Sequence, residues 1–257
     1  MTDGPRREPK DRLTLSIHIP KTAGVRFGEI LRNHHGKACA LYYGADDPRT
    51  HELLRVRPRE IDAARLNALA ESGVKVIHGH VRPRALVEVM PNPRNYAVWL
   101  REPIEHTLSR YHLNEPGHPV LGPTKAADLT VEAYVRLPEI ANFQSDYIRP
   151  LELGKIGFVG ITELFEPMLS LLDLADTAHR TNVNPDKPVA NQQTRLILAE
   201  HLLDDIALYS QAMELAIRRL GLRDVKQLAR YKQSAEDLAR RFGAEIAPSG
   251  RPLKEDP

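Results

Sequence analysis

Three groups of residues in this chain have types and spacings suited to chemistry on a charged substrate. The first follows an apolar, β-branched run at 13–19 and reads Pro20-Lys-Thr-Ala-Gly-Val-Arg-Phe27. Pro20 cannot donate to a sheet ladder and so ends a strand, and Gly24 lets a ligand come close to the backbone where a helix begins. A helix N-terminus offers unpaired amides and a partial positive charge; Lys21 adds a full charge and Thr22 a hydroxyl. The expected guest is a phosphate or a sulfate, and the candidate binding stretch is Lys21, Thr22, Ala23, Gly24, Val25, Arg26 and Phe27. The second group is Arg101, directly after an apolar run, with Ser109 two helical turns further on; an arginine fork matches a phosphate bidentately. The alternative is an ordinary salt bridge for Arg101 and a surface position for Ser109. The third is His78-Gly-His80, where an extended backbone would project both rings to one side. Such a pair serves a proton transfer, a metal, or simply the core; a metal needs three or four ligands, and no further His/Cys cluster has zinc-like spacing.

The elements that must position these groups are short apolar runs at 13–19, 74–77, 96–100 and 156–161, each bounded by a loop or helix signal and read as a buried strand. Helical patterns lie between them at 24–35, stopping at Gly36, at 61–72, stopping at Gly73, and at 103–113, opening with Pro103 in the first turn. A long helix is expected at 193–220 and a charged one at 224–242. Strands alternating with helices predict an α/β fold, a parallel sheet covered by helices on both faces. In such sheets ligands bind outside the carboxyl ends of the strands, and all three groups stand at strand ends.

The loop is not the P-loop of nucleotide triphosphatases, in which the lysine follows the second glycine. Here Lys21 precedes Gly24, and no Lys-Ser or Lys-Thr pair closes the loop after it. The stretch from His18 to Phe27 resembles instead the 5′-phosphosulfate loop of sulfotransferases that use 3′-phosphoadenosine 5′-phosphosulfate (PAPS), in the heparan-sulfate 2-O-type and related bacterial form. The segment 99–111 resembles the 3′-phosphate block of that family, an Arg-Asp/Glu-Pro followed by a helical Ser, at Arg101 and Ser109. His-Gly-His occurs in the same branch, where the second histidine is the proposed base. The resemblance implies a P-loop-like sulfotransferase fold, PAPS as donor and 3′-phosphoadenosine 5′-phosphate (PAP) as product. It also implies direct transfer to an acceptor hydroxyl of a carbohydrate, glycolipid or small natural product. His80 would be the base, His78 its support, Lys21 the leaving-group partner; the mechanism requires no metal. Val25 and Arg26 stand where the family commonly has a hydroxyl pair, and Arg26 either contacts the anion or points outward. The resemblance extends more loosely to Asn142 and Gln144, to a Gly-x-Thr-Glu block within 158–166, where Thr162 is equally explained as a helix cap, to the run 181–185, and to Asp205 and Tyr209.

Composition bounds the remainder. With 257 residues, 42% of them hydrophobic, the chain suits one sizeable domain, placed at 13–222 between an unstructured tail at 1–12 and a C-terminal helix and tail at 223–257. Lys and Arg number 36 against 34 acidic residues, so no global field argues for nucleic acid or a membrane surface. No run reaches the ~20 apolar residues of a membrane span, and the charged first twelve residues are unlike a signal peptide; a cytoplasmic protein is expected. The lone Cys39 is read as a packing residue. The segment 112–130, with three prolines and two glycines, reads as a lid or acceptor-binding insert, and the 224–242 helix as packing on the domain or on a second copy in a homodimer. Two other readings share the nucleotide site: a kinase-like phosphotransferase, disfavoured because the key strand ends in Arg101 rather than a magnesium-binding Asp, and a catalytically silent PAP-binding module.

Overall fold

The computed structural model of the chain describes residues 8–112, 129–174 and 190–221. All of the expected 112–130 insert but its end residues 112, 129 and 130, the run 181–185 and the helix and tail at 223–257 lie outside the described residues. Five short strands, β1 (Thr14–Ile17), β2 (Cys39–Tyr42), β3 (Val76–Gly79), β4 (Tyr96–Leu100) and β5 (Phe158–Ile161), form one sheet in the order β2-β3-β1-β4-β5. Every pairing is parallel, from Thr14↔Val76 and Leu15↔Tyr96 at the start of β1 outward to the two edges. Parallel strands require crossovers, and the helices supply them. They are α1 (Gly24–His35), α2 (Ala63–Glu71), α3 (Pro103–Tyr111), α4 (Val131–Val135), α5 (Phe143–Ile148), α6 (Phe165–Ser170), α7 (Gln192–His201) and α8 (Leu203–Arg219).

Side chains alternate along a strand, so Trp99 faces α1 and α6, where its ring meets Phe27 and Phe165 at 5.2 and 4.5 Å. Leu15, Ile17, Ile77, Val98 and Leu100 point the other way and are just as fully buried, which means that the second face of the sheet is covered too. A smaller apolar cluster, Ile104, Leu108, Val135, Leu198 and Leu202, joins α3, α4 and α7.

The chain runs from β1 outward to β2, returns to β3, then crosses β1 to reach β4 and β5. The carboxyl end of β1 is therefore the switch point at which successive crossovers part to left and right, leaving a crevice. The residues after β1, β3 and β4 all open onto it.

Four details depart from the sequence expectations. Cys39 opens β2, an edge strand of four residues whose Cys and Ala carry no strand signal; burial there pushes the thiol up to about 11. Pro9–Arg12, expected as tail, forms a 3₁₀ turn whose Lys10 amide donates to Asn67 of α2 at 2.9 Å. Thr162 does not cap a helix: its hydroxyl donates to the Leu100 carbonyl at 2.9 Å and ties the ends of β4 and β5 together. The long helix at 193–220 is two helices broken at Leu202, which is fully buried. The break lets Asn142 Oδ1 accept the amides of Asp204 and Asp205 at the start of α8, at 3.0 and 3.2 Å. The Asp205 carboxylate in return accepts the amides of Gln144 and Ser145 at the start of α5. Each helix thus caps the other.

Candidate anion site at the switch point

The loop between β1 and α1 makes its turn with two residues in the left-handed region, Lys21 at φ 71° and Ala23 at φ 61°. Such conformations persist outside glycine only where neighbours hold them. Here the carbonyls are held one by one. Ile19 accepts from the Thr22 hydroxyl at 2.9 Å, Pro20 from His106 Nε2 at 2.9 Å, Lys21 from Arg101 Nη1 at 3.1 Å and Gly24 from His78 Nε2 at 3.0 Å. Each donor comes from inside the protein, so the carbonyls turn inward. The amides of Gly24 and Val25, first in α1, make no hydrogen bond among the described residues, as is usual at a helix N-terminus.

Two glycines of α1 serve the histidines rather than a ligand. A Cβ at Gly24 would stand 1.9 Å from His18 Cδ2, and one at Gly28 would stand 2.6 Å from His78 Nε2. The close approach that Gly24 permits is therefore made by His18, behind the loop. His18 and His78 stack at 5.3 Å. His78 donates from Nε2 to the Gly24 carbonyl, which can only accept, so its Nδ1 accepts from the Ser16 hydroxyl at 2.9 Å. Both ring nitrogens are thereby used in holding β1, β3 and α1 together. Burial pushes His78 down to about 4, and burial, with His80 and His78 alongside, pushes His18 down to about 2. Both are neutral at physiological pH.

His80 has a different environment. It is exposed, just past the end of β3, with its ring 4.4 Å from His18 and 5.0 Å from Tyr43. It borders a cavity of about 200 Å³ with Val25, Leu41, Tyr43 and Arg49. Of the two expected histidines, His80 alone is accessible to a substrate, and His78 supports the loop.

At the end of β4, Arg101 is half-buried, with one guanidinium nitrogen on the Lys21 carbonyl. Its main chain is fixed by the Gln144 side-chain amide, which accepts from the Arg101 N–H and donates to the Arg101 carbonyl, both at 2.9 Å. Gln144 is buried, and so it orients Arg101 rather than a ligand. Glu102 caps α3 by accepting the amides of Ile104 and Glu105, while burial pushes its carboxyl up to about 7. Glu163 accepts the Glu102 amide and the Tyr209 hydroxyl, each at 3.0 Å. Ser109 is half-buried on α3 and its hydroxyl has no hydrogen-bond partner among the described residues.

Other expected loop residues do different work. Thr22 is fully buried and spends its hydroxyl on Ile19, so it shapes the turn. Phe27 is buried against Trp99 and its amide bonds to the Ala23 carbonyl at 3.0 Å. Arg26 points away, over the Phe165 ring at 4.3 Å and to Glu166 at 3.0 Å. Val25 is 51% exposed, an apolar residue facing the crevice.

His106 and Gly28 carry no role in the sequence reading, and His18 and Glu163 enter it only as members of the stretches at 18–27 and 158–166. The only local signal was the Gly24/Gly28 spacing, one helical turn apart, which flattens a helix face. Among the described residues no group of three or more His, Cys, Asp and Glu could hold a metal ion, and no helix is long and apolar enough to cross a membrane. A cavity of about 840 Å³ lies at the opposite end of the sheet, against the first residues of β1, β3, β4 and β5, and is lined also by Ser16 and Phe27.

The fold and the site define an α/β chain whose loop after β1 presents helix N-terminal amides at the switch point of a parallel sheet. Comparison with protein-family models, with curated proteins and with solved structures finds no match for it.

Proposed function

We propose that this protein is a PAPS-dependent sulfotransferase with a P-loop-like fold, acting on a hydroxyl of a carbohydrate, glycolipid or small natural product. The observation that carries the reading is the bond from Arg101 to the Lys21 carbonyl. It brings a guanidinium fork and a loop with free helix N-terminal amides into one crevice, which supports a ligand carrying two anionic groups. Gly24 and Val25 offer their amides to the 5′ group, and Lys21 stands at the turn to neutralise charge developing on the leaving phosphate. Arg101, with Ser109 on the next helix, would grip the 3′-phosphate and so select this nucleotide over ATP. When bound, PAPS supplies the activated sulfuryl group. His80 is the exposed base that would take the proton from the acceptor hydroxyl, a contribution of typically ~10² to 10⁴ in rate.

Thermal shift separates this reading from phosphoryl transfer. PAP at millimolar concentration should raise the melting temperature while ATP with Mg²⁺ leaves it unchanged. Stabilisation by ATP with Mg²⁺ alone would overturn the assignment. Transfer of label from radioactive PAPS to a hydroxyl acceptor then distinguishes an enzyme from a silent binding module.

A further inference from the structure

His106 lies on α3, one turn into the helix, and is completely buried. Its Nε2 is 2.9 Å from the Pro20 carbonyl, 86 residues away in sequence. A carbonyl cannot donate, so the proton sits on Nε2. Nδ1 is buried and has no hydrogen-bond partner among the described residues. One ring face stacks on Phe143 at 5.9 Å, and the Arg110 guanidinium lies over that same Phe143 at 3.5 Å. Burial, together with the charges of Arg110, Arg101 and Lys21, holds the imidazole far below its ordinary protonation range.

The place of this bond in the loop gives it meaning. Two peptide planes flank the Cα of Lys21, and their orientations set its φ and ψ. The carbonyl of the first, Pro20, is held by His106; the carbonyl of the second, Lys21, is held by Arg101. Lys21 sits at φ 71°, a conformation that a non-glycine residue rarely adopts and that the surroundings must impose. We infer that His106 is a positioning residue of the anion loop, which acts with Arg101 as a two-point clamp on the peptides around Lys21 and so aims the loop amides into the crevice. Its task is donation of one N–H to Pro20, not contact with a ligand. The effect on nucleotide binding rests on the proposed function; the effect on the loop does not.

Two substitutions divide the donor from the ring. H106F keeps an aromatic ring against Phe143 and removes the N–H; H106Q removes the ring and carries an amide N–H at similar reach. Hydrogen exchange of the ligand-free protein, followed by mass spectrometry, reads the loop directly. H106F should speed exchange of the Thr22 and Phe27 amides, which bond to the Ile19 and Ala23 carbonyls, by about ten-fold while α7 and α8 are unchanged, and H106Q should stay near the native rate. Titration calorimetry with PAP should show the same order, with affinity about ten-fold weaker in H106F and within about three-fold in H106Q. Equal loop exchange in H106F and the native protein, or equal loss in both variants, would overturn the clamp. If the native protein fails to bind PAP while H106F still loosens the loop, the clamp stands and the sulfotransferase reading falls.

Discussion

At the scale of single residues, the crevice divides into groups that would meet a ligand and groups that hold those in place. Arg101 belongs to both, since one nitrogen holds the Lys21 carbonyl and its other guanidinium donors have no hydrogen-bond partner among the described residues. Charge-assisted bonds are about twice as strong as neutral ones, so R101A should weaken PAP binding by roughly ten- to hundred-fold. His80 is exposed, just past the end of β3, so H80A should abolish turnover and leave PAP affinity within a few-fold. Paired calorimetry and label-transfer assays on the two variants check this division. Normal turnover in H80A would remove His80 as the base.

Between helices, the decisive contact is the reciprocal cap of α5 and α8. Asp205 Oδ1 and Oδ2 accept the amides of Ser145 and Gln144 at 2.7 and 3.1 Å, and Oδ1 also accepts the Ser145 hydroxyl at 2.7 Å. Loss of a capping side chain typically costs ~1 kcal/mol, and more when the orphaned amides are buried. D205A should therefore lower unfolding free energy by about 2 kcal/mol in urea. The cost should reach the site as well, because Gln144, which that cap positions, grips the main chain of Arg101. A D205A protein with unchanged PAP affinity would show that α5 keeps its place without the cap.

Across the whole molecule, buried titratable groups set opposing pH dependences. His78 is held at about 4 against an ordinary 6.5, so between those values the unfolded chain takes a proton that the folded one refuses. Its contribution is complete above pH 6.5 and is lost as the pH falls toward 4. Glu102 has the opposite sign: its folded pKa is about 7 against 4.5, so stability from its protonated form is lost as pH rises between those values. The net curve mixes the two, and a difference isolates one. The stability advantage of the native chain over H78Q should shrink as pH falls from 6.5 to 4, measured by urea unfolding at each pH. A constant difference would mean that His78 is not held neutral in the fold.

The sequence alone determined which segments become β1, β3, β4 and β5, although β1 stops at Ile17, short of Pro20, and β3 runs on through Gly79. Apolar runs halted by Pro20, His78-Gly-His80 and Arg101-Glu-Pro103 are local signals, and β4 and α1 lie at the bounds those signals set. Periodicity also sufficed for the parallel α/β architecture, since alternating strands and helices leave few other packings. What only the tertiary structure decided concerns contacts between distant segments. His106 on Pro20, His78 on Gly24, and Asp205 on α5 join residues 54 to 86 positions apart. No spacing rule reaches that far. The same long-range packing turned Thr22 and Arg26 away from a ligand, split the last helix at Leu202, and drew Cys39 into an edge strand. Local sequence specifies what a backbone turn can offer, but which carbonyls are held, and so where its amides point, depends on side chains delivered by the rest of the fold.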